Sequence, residues 1–122
     1  MDINTYQRKA HSTAIYPTDI TMRWNDRKGE SELSWIYPAL GLAGESGEIL
    51  NKLKKIIRDQ DGILENPIGK STLAFELGDL LWYTAELCTS LGLTLEEVAV
   101  MNLAKLEARA KKNTIHGSGE DR

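Results

Sequence analysis

Two short stretches carry residues able to do chemistry, and they read alike. The first is Leu42-Ala43-Gly44-Glu45-Ser46-Gly47-Glu48-Ile49-Leu50; thirty-one residues later comes Leu73-Ala74-Phe75-Glu76-Leu77-Gly78-Asp79-Leu80-Leu81. Each holds two acids three residues apart, Glu45 with Glu48 and Glu76 with Asp79, so the pair forms an internal near-repeat. On a helix such acids share a face. At about 100° per residue they flank a narrow sector occupied by Leu42, Ile49, Leu53 and Ile56 in the first stretch and by Leu73, Leu80, Leu87 and Leu91 in the second. Ionised carboxylates beside a buried seam are costly unless a positive charge joins them, and four that face one another invite a cation.

Three arrangements compete to explain this pattern. Hard carboxylate oxygens gather Mg²⁺ or Mn²⁺, which keeps several waters and shares its coordination with substrate phosphates. A di-iron bundle would need a Glu-x-x-His pair from each of two helices, and neither acidic stretch has a histidine at that offset. The acids could also be solvated helix faces, an ordinary fate for one such pair and a poorer account of two in matching leucine contexts. A magnesium-carboxylate cluster with cations nearby points to phosphoryl chemistry on a small polyanion, with a carboxylate taking the proton of an attacking water. The cations are there: Lys52, Lys54, Lys55 and Arg58 form one cluster, and Lys105, Arg109, Lys111 and Lys112 a second. Asn102, Lys105 and Arg109 share one helical face, which reads either as a phosphate-holding face or as a solvated one favourable to the helix dipole.

The elements that must position these residues are helical. Residues 3–15 have Ile3, Tyr6, Ala10 and Ala14 at helical spacing, with Pro17 as the stop. His11 has no ligand-spaced companion there and reads as a surface or packing residue. Residues 17–34 carry loop signals, although Ile20, Met22 and Trp24 alternate as a short extended piece would. Trp24, Trp35 and Tyr37 precede the first acidic stretch and either pack the helix start or stack on a ligand base. A long helix is expected from Pro38 to about Asp59, ended by Asp61-Gly62, and another from Ser71 or Thr72 to about Ser90, stopped by Gly92. Thr94 with Glu97 is a capping box that opens a last helix to about Lys111, followed by a small, polar tail at 112–122 that should be mobile. No strand-turn-strand pattern stands out. The chain therefore reads as one all-α domain, four to five helices in an antiparallel bundle. Gly44, Gly47 and Gly78 fall inside helices, which close helix packing or room beside the acids would explain.

Bulk properties narrow the function. A chain of 122 residues is most simply a single domain, and 41% apolar with 27% charged residues is ordinary for a folded soluble protein. A net charge of −3 and a pI near 5.4 argue against nucleic acid as a partner, since such modules carry a basic excess. No apolar run approaches a membrane span and no signal-peptide core opens the chain, so no membrane association and a cytoplasmic location are expected. The single cysteine, Cys88, sits among leucines and reads as a buried, inert thiol.

With these residues in hand the sequence resembles a known family. Glu45-x-x-Glu48 followed by Glu76-x-x-Asp79 is similar to the E-x-x-E…E-x-x-D signature of the MazG-like all-α nucleoside triphosphate pyrophosphohydrolases. Tyr37 to Glu48, Glu76 to Tyr83, and the ending Asn102-x-x-Lys105-x-x-x-Arg109 resemble the corresponding family helices, so the likeness spans about residues 37–119. The resemblance implies hydrolysis of a (deoxy)nucleoside triphosphate to the monophosphate and pyrophosphate with Mg²⁺, Mn²⁺ being a substitute. It implies Glu45, Glu48, Glu76 and Asp79 as catalytic metal ligands, one glutamate serving the water, with Tyr83, Asn102, Lys105 and Arg109 facing sugar or phosphates. Lys52 and Trp35 complete the substrate-binding candidates, as cation and stacking ring. It further implies a homodimer or homotetramer with sites near subunit interfaces. Phosphoribosyl-ATP pyrophosphatase-like activity and a non-catalytic module that binds a nucleotide or partner are the alternatives.

Overall fold

The computed structural model describes residues 1–17, 23–24, 27–28, 34–63 and 67–112, with 23–24, 27–28 and 67–68 given by backbone alone. Among the described residues four helices carry the fold: α1 (Ile3–His11), α2 (Ile36–Asp59), α3 (Pro67–Ser90) and α4 (Leu95–Lys111). The region expected as loop also holds β1 (Arg23–Trp24) and β2 (Arg27–Lys28), an antiparallel pair in which Arg23 faces Lys28 and Trp24 faces Arg27. The extended alternative was thus the right one at Trp24, and a pair of strands exists that the sequence pattern was too short to reveal. The ring of Trp24 and the expected mobile tail beyond Lys112 lie outside the described residues.

α1 is shorter than the sequence periodicity suggests, and its hydroxyl residues explain why. Asp2 caps its start by accepting from the Thr5 backbone at 2.8 Å. At its end Ser12 Oγ donates to Lys9 O and Thr13 Oγ1 to Ala10 O, which offers the last carbonyls partners other than a further helical turn. α3 begins earlier than expected because Pro67 takes the first helical position, where its missing N–H is no loss and its fixed φ is helical.

α2 and α3 are each 24 residues long and start thirty-one residues apart, the offset of the sequence repeat, so Glu45 and Glu76 are each the tenth residue of their helix. The two run antiparallel. Gly41 meets Tyr83, Glu45 approaches Asp79, Lys52 reaches Glu76, and Gly69 lies against Ile56, so position numbers rise on one helix as they fall on the other. The half-buried Leu42, Ile49, Leu53, Leu73, Leu80 and Leu87 line this seam.

The most buried apolar cluster lies where α1, α3 and α4 meet: Ala10, Ala85, Cys88 and Leu95, with Tyr6, Trp82 and Val98 packed on it. Cys88 is buried there as expected, and that burial pushes its thiol pKa up. A buried glutamine locks the corner. Gln7 Nε2 donates to Thr89 Oγ1 and to Leu93 O, while its Oε1 accepts from Leu95 N.

α4 leaves α3 at 100°, so the antiparallel arrangement expected of the whole bundle holds for α2 and α3 and not for α4. The corner is made in four residues. Leu93 N–H reaches back to Cys88 O and Gly92 N–H to Thr89 O, a Schellman closure with Gly92 at φ 71°, and the Thr94–Glu97 capping box opens α4 at once. Among the described residues no pair of Cα atoms links α2 and α4 within 8 Å, and Val100, Met101, Leu103 and Leu106 of α4 are exposed. Among the described residues no single helix is long and apolar enough to cross a membrane.

Candidate active site

The equal registers of α2 and α3 bring three of the four repeat acids together. One carboxylate oxygen each from Glu45, Glu76 and Asp79 lies within 4.8 Å of the other two. Glu45 and Glu76 are half-buried; Asp79 and Glu48 are exposed. Glu48 stays outside the trio, one turn along α2 from Glu45, yet near enough that its charge acts on Glu45. Loss of water pushes the Glu45 carboxyl above the usual range, and the charges of Asp79, Glu76 and Glu48 push it further. Lys52, two turns beyond Glu45, supplies counter-charge, its Nζ donating to Glu76 Oε1 at 2.5 Å.

Tyr83 joins this group, one turn beyond Asp79. Its ring lies directly against Gly41, where a Cβ would fall 2.1 Å from Cε1, so the glycine is what admits the ring. Its phenol pKa is raised by lost hydration first and then by Tyr37, Glu45 and Asp79. Burial and, after it, the charge of Asp79 likewise raise the phenol pKa of Tyr6 on α1.

Beyond Tyr83 the aromatic residues form a wall. Trp82 meets Tyr83 edge-on at 4.9 Å, Tyr16 stacks on Tyr37 at 4.7 Å with an 8° interplanar angle, and Tyr16 meets Trp82 edge-on at 6.1 Å. An open cleft of ≈ 360 Å³ is lined by Tyr16, Tyr37, Trp82 and Tyr83 with Thr13, Ile15 and Pro17. On the other side of the acids, a cleft of ≈ 150 Å³ is lined by Lys52, Lys55 and Thr72 among others.

The remaining sequence candidates fall elsewhere. Trp35 is at the N-cap position of α2, 42% exposed, and the ring that joins the wall is Tyr37. Asn102 and Lys105 are exposed on α4 beside Leu93, Val98 and Met101, while Arg109 is buried. One chain does not bring these three to the acids, because α4 has turned away from α2. Sequence reading missed Tyr16, Tyr6 and Trp82; an aromatic residue just before Pro17, past the end of a helix, gives no periodic signal.

The donor set suits a hard divalent cation. Three carboxylate oxygens within 4.8 Å of one another need only small side-chain shifts to close on an ion that takes bonds of about 2.1 Å, and lost hydration first, then the neighbouring carboxylates, raise Glu45. Three oxygens, a flanking carboxylate, a lysine-lined cleft on one side and an aromatic one on the other can hold a phosphorylated ring compound across the metal position.

Comparisons with known proteins agree with this geometry. The family model for the MazG nucleotide pyrophosphohydrolase domain matches residues 38–114. The chain is 42% identical to the Gene 37 protein of Mycobacterium phage L5 over 122 residues, covering the whole of both. No solved structure matches it significantly.

Proposed function

Because the chain belongs to the family of MazG nucleotide pyrophosphohydrolase domains, we propose that it hydrolyses a (deoxy)nucleoside triphosphate between the α and β phosphates, releasing the monophosphate and pyrophosphate with Mg²⁺. The observation that carries this reading is the convergence of Glu45, Glu76 and Asp79 from two helices onto one small volume.

Glu45, Glu76 and Asp79 would hold the cation, which when bound neutralises and polarises the phosphate oxygens. Lys52 and Lys55, facing the cleft beyond the acids, hold phosphate oxygens by charge-assisted hydrogen bonds. The base lies in the aromatic cleft on the opposite side, where Tyr83 stands between acids and wall. Asn102, Lys105 and Arg109 serve a site only across a subunit boundary, and the exposed apolar row on α4 supports a homo-oligomer that would bring them there.

Release of pyrophosphate from dNTPs tests the reaction. Asp79 is exposed, so Asp79→Asn is expected to fold like the parent and to lose at least about 100-fold in kcat. Orthophosphate as the first product, or full activity in Asp79→Asn, overturns the proposal.

A further inference from the structure

Among the described residues Glu86 is the one acid whose side chain is fully buried, and the reaction just described does not use it. It lies on α3 two turns past Asp79, under the aromatic wall. A carboxylate in that place is costly unless hydrogen-bonded, and a leucine would fill the space without the cost. What the carboxylate does is meet the last residue of α1 and a tyrosine from the segment after it. Tyr16 Oη donates to its Oε2 at 2.8 Å, and His11 Nδ1 lies 3.1 Å from the same oxygen. A third bond runs the other way, from Trp82 Nε1 to Thr13 Oγ1 at 2.9 Å. Apolar burial does not hold this strap, since Ile15 at its centre is 99% exposed. Side-chain hydrogen bonds to α3 hold it, and Tyr16 is the residue that ends both on Glu86 and, through its ring, on Tyr37 and Trp82.

We propose that Glu86 is a positioning residue for the nucleobase: by gripping the Tyr16 hydroxyl it fixes the Thr13–Pro17 strap as one wall of the aromatic cleft. This rests on the placement of the base in that cleft. The ligand it shapes is a planar heterocycle, and the effect of losing the grip falls on affinity.

Equilibrium binding and pyrophosphate release with the four canonical dNTPs test it in the full chain. Tyr16→Phe keeps the ring and removes the hydroxyl; Glu86→Leu keeps the volume and removes the acceptor. Each is expected to raise Kd and KM for the preferred dNTP roughly three- to ten-fold, the worth of one hydrogen bond. The double variant should lose less than the sum of the two single losses, because both cut the Tyr16–Glu86 contact. Glu86→Gln, whose amide oxygen still accepts from Tyr16, should restore binding. Unchanged Kd in Tyr16→Phe, additive losses in the double variant, or a Glu86→Gln as weak as Glu86→Leu overturns the proposal. A parent protein that shows the expected Kd pattern and releases no pyrophosphate overturns the hydrolytic reading alone.

Discussion

Replacing Gly41 by alanine isolates the contact that seats Tyr83 beside the acids. The new Cβ would lie 2.1 Å from Cε1 of Tyr83 and 2.4 Å from Cδ1 and Cζ. Carbon atoms settle at about 3.5–4.0 Å, so the ring must withdraw by roughly 1.5 Å. It is not free to do so, because Trp82 stands against it with ring centroids 4.9 Å apart. Overpacking of this kind costs about 1–3 kcal/mol, while glycine to alanine inside a helix gains up to about 1 kcal/mol. Gly44, one turn further along α2, supplies the control: a Cβ there meets nothing within 4 Å, so alanine gives the helix gain alone. The two variants share the propensity effect, and their difference is the packing cost. Urea unfolding should therefore place Gly41→Ala about 1–3 kcal/mol below Gly44→Ala at equal m. In a Tyr83→Ala background the gap should close, since the obstructing ring is gone. A Gly41→Ala protein as stable as Gly44→Ala, or a gap that survives without Tyr83, refutes the reasoning.

Two further expectations concern charge. Because the Glu45 carboxyl is held above its usual value of 4.5 in the fold, ionising it opposes folding, so metal-free protein should lose stability as pH rises from that value through the raised one. Glu45→Gln should lack that part of the decline, and melting curves in chelator across the acid range check it; an unaltered pH slope in the variant would count against the assigned electrostatics. Lys52 and a bound cation compete for Glu76, so Lys52→Met should bind Mg²⁺ several-fold more tightly by calorimetry while releasing pyrophosphate more slowly. Weaker Mg²⁺ binding in that variant would show that the ammonium does not oppose the metal.

The acidic site was largely legible in the sequence because it is built from helix periodicity. The repeat at thirty-one residues sets both the equal helix lengths and the matched positions of Glu45 and Glu76, and an antiparallel pair of such helices has to bring the acids together. Glu48 was indistinguishable from Glu45 in one dimension. The packing of α2 on α3, which one dimension does not carry, puts Glu45 and not Glu48 with Glu76 and Asp79. Trp35 and Tyr37 pose the same difficulty: they are two residues apart at a helix start, and which ring meets Tyr16 depends on where the strap runs.

The strap itself is illegible for a stronger reason. Glutamate in a helix is nearly always solvated, so nothing in the sequence marks Glu86 as buried, and its partners sit 70 and 75 residues away. Gln7 is hidden likewise, since its three hydrogen bonds reach residues more than 80 positions off. The caps at Gly92 and Thr94 told where α3 stops and α4 starts, yet a stop and a start do not specify an angle. The 100° turn depends on a Schellman closure followed at once by an N-cap, with Gln7 bonded to the carbonyl of Leu93 and the amide of Leu95 between them. That same corner carries the basic residues of α4 away from α2, so within one chain the acidic cluster is built by the α2–α3 pair.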